Sequence, residues 1–215
     1  MVTNRRALRS AVGAILVLLL GVTIGWQLGS RGNETDPVPE NALNGDPGPS
    51  YEEDGVPLGY AHTTAGAISA ATSYATVMSR VGLGEVAYPK ALETLAAPEW
   101  KSEARQLAEN TLEFVSSEYG VGSTASFLPM RFRVESYDNS ASVVAVWGVL
   151  VIEDPTMVDL SQSWLKTTIR LVWLDDWRVD GAESLPGPAP VLNAGDQGTE
   201  ENLEGFEDYG RGPLP

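Results

Sequence analysis

The sequence predicts an α+β fold: an N-terminal transmembrane helix, then a domain in which helices pack on a curved antiparallel sheet. Three observations predict it. Residues 11–29, AVGAILVLLLGVTIGWQLG, form a run without charge. Between residues 55 and 184 the apolar spacing changes from a helical period to a period of two. Proline-rich, acidic stretches flank that unit on both sides. The 215 residues therefore divide into a short N-terminus (1–10), an anchor (11–29), a spacer (30–54), one folding unit (55–184) and a tail (185–215).

The anchor is long enough to cross about 30 Å of hydrocarbon. Arg5, Arg6 and Arg9 precede it, and no acidic residue occurs before Glu34. Positive charge on that flank places residues 1–10 in the cytoplasm and the folding unit outside it, at the cell membrane in a single pass. Trp26 suits the far interface. A cleaved signal peptide is the competing reading, but the apolar run is long and Trp26-Gln27-Leu28-Gly29-Ser30 lacks a small-x-small cleavage site. Gly21 and Gly25 have the spacing of a helix-pairing motif; ordinary membrane-helix glycine is the preferred reading. The spacer, with Pro37, Pro39, Pro47 and Pro49 among polar residues, has too little apolar surface to fold and reads as an extended tether.

Within the folding unit, Thr63 or Thr64 can cap a helix. Ala67, Ala70, Ala71, Tyr74, Val77, Met78 and Val81 then share one helical face, and Gly82 and Gly84 end it. Alanine lets a helix axis approach its neighbour closely, so this helix is expected to sit tightly on a sheet with Tyr74 as its large contact. A short helix is expected after Pro89, and Pro98 can begin a third with Trp100, Ala104, Leu107, Ala108, Thr111, Phe114 and Val115 on one face. Phe127–Tyr137 then alternates, with Met130, Phe132 and Val134 facing one way. Ser142–Asp154 is apolar on both faces, as in a covered central strand. Ser163–Leu174 and Trp177–Gly181 complete a meander through a turn at Asp175-Asp176. The tail, with Pro186, Pro188, Pro190 and acids around Glu200, Glu201 and Glu204, is expected to be disordered. Phe206 and Tyr209 could form a docking motif, but a solvated tail is the favoured reading.

Composition excludes several functions. Beyond Ser30, 11 basic residues face 29 acidic ones, a balance that repels phosphates and argues against direct nucleic-acid binding. The chain has no cysteine and one histidine, His62, which rules out thiolate chemistry and multi-histidine metal sites. No cofactor is expected. Glu52-Glu53-Asp54 is acidic enough for calcium but lacks the spacing of a ligand loop, and reads as a solvated cluster.

Helices followed by an antiparallel meander resemble the cone-shaped fold of nuclear transport factor two and its bacterial relatives. VWLDDWRVDG, residues 172–181, is similar to the last hairpin of that fold, where a tryptophan after the turn closes the wide end of the cone. The stretch Gly55-Val56-Pro57-x-Gly59-Tyr60, followed by Thr64-x-Gly66-Ala67 and Ala70-Ala71-x-x-Tyr74, resembles the start of an uncharacterised family of actinobacterial single-pass membrane proteins. The resemblance implies an association with conjugation or type IV secretion machinery and kinship with its TcpC-like and VirB-eight-like scaffold subunits. It implies no catalytic residue.

Cone-fold enzymes use an Asp–His pair or a lone Asp, which makes Asp175, Asp176 and Asp180 candidates by type; no histidine follows in the strands, and the pair at 175–176 reads as a turn. His62 reads as a surface residue. The expectation is a non-catalytic, membrane-anchored scaffold or accessory subunit that contacts copies of itself or other envelope proteins. The alternative is a small-molecule or lipid-binding cone with an apolar cavity near Tyr74, Trp100 and Trp177. An isomerase- or dehydratase-like enzyme ranks below both. The interface or cavity candidates are Tyr60, Tyr74, Trp100, Trp147, Trp164 and Trp177.

Overall fold

The computed structural model describes residues 46–80, 88–154, 161–189, 203 and 205–209. The expected cytoplasmic N-terminus, transmembrane helix and first part of the spacer lie outside these residues, as do Gly82, Gly84, Pro155 and the acids at 200, 201 and 204. Among the described residues, no helix is long and apolar enough to cross a membrane.

The folded unit begins earlier than residue 55. Strands β1 (Tyr51–Glu53) and β2 (Val56–Leu58) form a small antiparallel hairpin. Its two-residue loop is Asp54-Gly55, both with positive φ (52° and 74°). Asp-Gly suits such a loop because its backbone twist matches that of the strands. Residues 51–54, read as tether, are therefore part of the fold. Asp54, read as one of a solvated acidic cluster, accepts a hydrogen bond from Thr94 Oγ1 at 2.9 Å and pairs with Lys90 at 3.5 Å.

Helix α1 (Thr64–Met78) follows, and Thr63 caps it by accepting from the Gly66 N–H at 3.1 Å. The small face works as its residues suggest. Ala67, Ala70, Ala71 and Ala75 are buried with Tyr74, and α1 lies across strands β3 to β6. At Gly66 the approach is closest: a Cβ there would stand 1.9 Å from the Ala61 carbonyl oxygen. Helix α2 (Tyr88–Leu95) precedes a 3-10 turn at Pro98–Trp100 and the long α3 (Lys101–Tyr119). Helix α3 packs chiefly on α2, and buries Ala104, Ala108 and Val115.

The main sheet is antiparallel, in the order β6-β5-β4-β3-β7. Strands β3 (Thr124–Tyr137), β4 (Ala141–Glu153), β5 (Ser161–Trp173) and β6 (Trp177–Pro186) form the expected meander. Two differences stand out. Register shifts in β3 between Pro129 and Arg131 and between Val134 and Ser136 break the alternation, so Met130 is 48% exposed while Phe132 is buried. Strand β6 also runs on to Pro186 rather than stopping at Gly181, because its far half pairs with Leu165–Ile169 of β5. The sheet's fifth strand, β7 (Glu207–Asp208), comes from the tail. Two short pieces of the region read as disordered thus join the fold.

One face of the sheet carries Val144, Val146, Leu150 and Ile152 of β4 into the core beneath α1. Alternation turns Val143, Ala145, Trp147 and Val149 to the other face.

Candidate functional site

The structure sorts the aromatic candidates into two groups on opposite faces of the sheet. Tyr60, Tyr74 and Trp177 meet on the core side. Tyr60 and Tyr74 pack edge to face with centroids 5.7 Å apart, and the Tyr74 hydroxyl donates to the Trp177 carbonyl at 2.8 Å. Trp177 is wholly buried, and its Nε1 donates to the Ala61 carbonyl at 3.0 Å. Trp173, Tyr137 and His62 surround it at 5.2, 6.0 and 5.7 Å. His62 is exposed, as expected of a surface residue, but its ring also stacks on Trp173 at 3.9 Å and its Nε2 lies 2.5 Å from the Asn139 carbonyl.

Asp176 ties this group together. Its Oδ1 accepts from the N–H groups of Tyr60 (3.0 Å) and Trp177 (2.9 Å), and its Oδ2 from that of Gly59 (2.8 Å). Arg178 stands 3.9 Å away. A carboxylate has about four acceptor directions, and backbone N–H groups take three of them here. The turn itself is made by Asp175, whose φ is 64°. Asp176 is thus a buried clamp between the last hairpin and the segment leading into α1. Gly59 adopts φ +77°, and a Cβ there would meet Ser50 Oγ at 2.0 Å, so a larger residue would push the segment off the clamp.

Burial governs the phenols. It raises the Tyr60 pKa to about 12, with the Asp176 charge adding to the rise and the Ser73 side chain opposing it. The Tyr60 hydroxyl makes no hydrogen bond of ordinary geometry. Burial first, then the Asp176 charge, pushes Tyr74 up further. Asp180, at the exposed surface, is raised by partial desolvation, which Arg170 opposes.

Trp147 and Trp164 form the second group. Their rings stack at 4.7 Å and 19° on the outward face. The chain covers them itself. Trp147 Nε1 donates to the Pro188 carbonyl at 3.0 Å, and the Gly187 N–H donates to the Trp164 carbonyl at 2.8 Å. A Cβ on Gly187 would stand 3.0 Å from the Trp147 ring. Trp147 is 4% exposed in consequence. The residues after β6 lie over this face, which explains how β4 can be apolar on both sides.

Trp100 joins neither group; it is half-buried at the start of α3, against the rim of the core. Near it, Glu53, Lys90, Glu93, Lys101 and Arg178 line a solvent-open depression of about 370 Å³. The lining mixes both charge signs, and the pair Arg105–Glu93, 2.8 Å apart, holds Glu93 below the usual carboxylate range. Among the described residues, no group of three or more carboxylates or histidines could hold a metal ion.

The tail supplies a further contact. Asp208 accepts from Arg131 Nε at 2.7 Å, and Arg133 lies over the Phe206 ring, 4.8 Å from its centroid. Tyr209 packs on Phe132 at 5.1 Å, and its hydroxyl is 2.9 Å from Thr72 Oγ1. The motif Phe206–Tyr209, read as solvated, is docked on the domain.

The sequence points to neither the clamp nor the docked tail. Asp176 lies 117 positions from Gly59, and nothing local marks a turn residue as an anchor for so distant a segment. The tail did carry a signal, two aromatics among acids, but not its destination. The Asp54-Gly55 hairpin went unread, because its first strand lies in the polar stretch taken as tether.

No curated protein and no solved structure matches the chain. A family model described as a domain of unknown function (DUF8175) matches residues 35–199, which span the hairpin, the helices and the four-stranded meander, and the chain belongs to that family.

Proposed function

We propose that this protein is a non-catalytic, membrane-anchored accessory or scaffold subunit of a cell-envelope machine of the secretion or conjugation class, working through contacts of an extracytoplasmic, cone-shaped domain. The apolar run at 11–29, with arginines on its N-terminal flank, supports the anchor and its direction. The element order and the closing hairpin support the cone. The observation that carries the reading is the use made of Asp176. Asp176, a candidate by residue type for the cavity carboxylate of a cone-fold enzyme, is spent on three backbone N–H groups. Tyr74 and Trp177, expected to line a ligand cavity, have their own polar atoms bonded to backbone carbonyls. Both features favour a body built for stability over one built for turnover.

The experiment is cross-linking of the full chain in intact membranes, with protease added outside the cells. The reading expects cleavage of the domain from outside and cross-links to copies of the chain or to other envelope proteins. A chain cut only after lysis, or one that stays monomeric with no envelope neighbour, would remove its basis.

A further inference from the structure

The depression between α2, the β1–β2 hairpin and the β5–β6 turn is lined by charges of both signs, and some of them are already matched. Lys90 pairs with Asp54 at 3.5 Å, and Glu93 with Arg105 at 2.8 Å. Three charged groups in the lining are left over. Among the described residues, Glu53 of β1 and Lys101 at the start of α3 form no ion pair. Arg178 of β6 is the third.

Arg178 makes the strongest demand. Its side chain is only 22% exposed. A guanidinium carries five donors in a rigid fork. Nη1 donates to the Thr94 carbonyl at 2.8 Å, while Nη2 stands 3.9 Å from Asp176 Oδ2, too far for a hydrogen bond. Asp176 is itself taken up by three backbone N–H groups. Among the described residues, no other acceptor bonds Arg178. A largely buried charged donor without an acceptor is costly, so an acceptor brought by a ligand is favoured there.

The left-over groups are two cations and one acid, and the ligand that matches them is dipolar. A planar carboxylate suits the Arg178 fork, and Lys101 adds a point charge. An ammonium suits Glu53. Phosphate fits less well, because Glu53 and Glu93 repel its second negative charge. Leu174 is 45% exposed at this depression and gives an apolar side chain a surface to cover. The volume of about 370 Å³ lies near the low end of small-ligand sites, about 300–1,000 Å³.

We infer that this depression binds a short zwitterionic peptide. Its carboxylate meets Arg178 and Lys101, its ammonium meets Glu53, and an apolar side chain lies against Leu174. This ligand site goes beyond the scaffold reading and does not depend on it.

The test uses the full chain in detergent and the dipeptide Ala-Leu, read by isothermal calorimetry. Saturable binding is expected. A hydrogen bond to a charged group is worth roughly a factor of ten, so the C-terminal amide and the N-acetyl form should each bind about tenfold more weakly. Lys101→Gln and Arg178→Gln should each shrink the preference for carboxylate over amide, and Glu53→Gln the preference for free amine over acetyl, by roughly threefold or more. Arg178 also bonds Thr94; if Arg178→Gln lowers the denaturant midpoint, Lys101→Gln decides. No saturable binding up to about 10 mM would overturn the inference. So would equal binding of the amide or the acetyl form, or preferences that survive intact in Lys101→Gln and Glu53→Gln. Envelope cross-links are read separately, so a failure here leaves the scaffold reading standing, and the reverse also holds.

Discussion

The two faces of the sheet hold their aromatic residues in opposite ways. On the core side, Tyr60, Tyr74 and Trp177 are gripped by segments far apart in sequence, and Asp176 bonds three backbone N–H groups at once. On the outer side and the β3 edge, a single strip of chain lies over Trp147 and Trp164, and a few tail residues touch Arg131, Phe132 and Arg133. The first arrangement commits the indole N–H of Trp177 and both carboxylate oxygens of Asp176 to backbone partners. The second is shallow and charge-assisted. The long-range bonds that hold the fold are concentrated on the core-side face.

The sharpest way to break that contrast is Trp177→Ala. The side chain is wholly buried, so its loss should cost about 3–5 kcal/mol. Denaturant unfolding of the full chain in detergent reads this as a lower midpoint; a loss below about 1 kcal/mol would mean that the core-side group is not the structural centre.

Asp176→Asn comes next. It keeps the shape but replaces a charged acceptor with an amide, whose nitrogen has donors where an N–H already points. Bonds to charged groups contribute about 1.5–3 kcal/mol each, and relaxation should limit the total loss to about 3 kcal/mol. The same substitution sharpens the functional comparison: cross-links in folded variant chains should persist, whereas a catalytic Asp176 would lose activity with little loss of stability.

The smallest effect concerns the tail. Partial burial against the domain, which leaves Tyr209 37% exposed, raises its pKa to about 12, and the bond with Thr72 opposes the rise. A free phenol titrates near 10. Docking therefore favours the neutral form: its contribution is fully present below about pH 10 and fades as pH rises toward 12. The ultraviolet difference between the unaltered chain and Tyr209→Phe should show a phenolate midpoint near 12. A midpoint near 10 would place the ring in water and the tail off the edge.

Much of the domain was legible as sequence. The α1 face of Ala67, Ala70, Ala71 and Tyr74 repeats at helical spacing, and the structure buries those four residues beneath the helix. The run Ser142–Asp154 reads as apolar on both faces, and within β4 both faces are covered. Less legible was Met130, which a register shift turns outward, because a bulge depends on the partner strand and leaves no mark on a residue's own neighbours. The candidate aromatics were identifiable as a set, but their division between two faces was not: strand alternation gives relative facing within one strand, and only pairing relates Trp147 to Trp164.

Periodicity and turn chemistry are properties of neighbouring residues along the covalent chain. The sequence by itself therefore determined the order of the helices and of the four meander strands, the tight seat of α1, the cap at Thr63 and an uncharged run of membrane-spanning length. Which carboxylate becomes a clamp, and which edge the tail covers, depend on surfaces that exist only after the chain has closed on itself. Asp176 reaches a segment 117 positions away, and Arg131 meets an acid 77 positions on. Those choices belonged to the tertiary structure, because a bond between distant residues forms only where packing has already brought their backbones together.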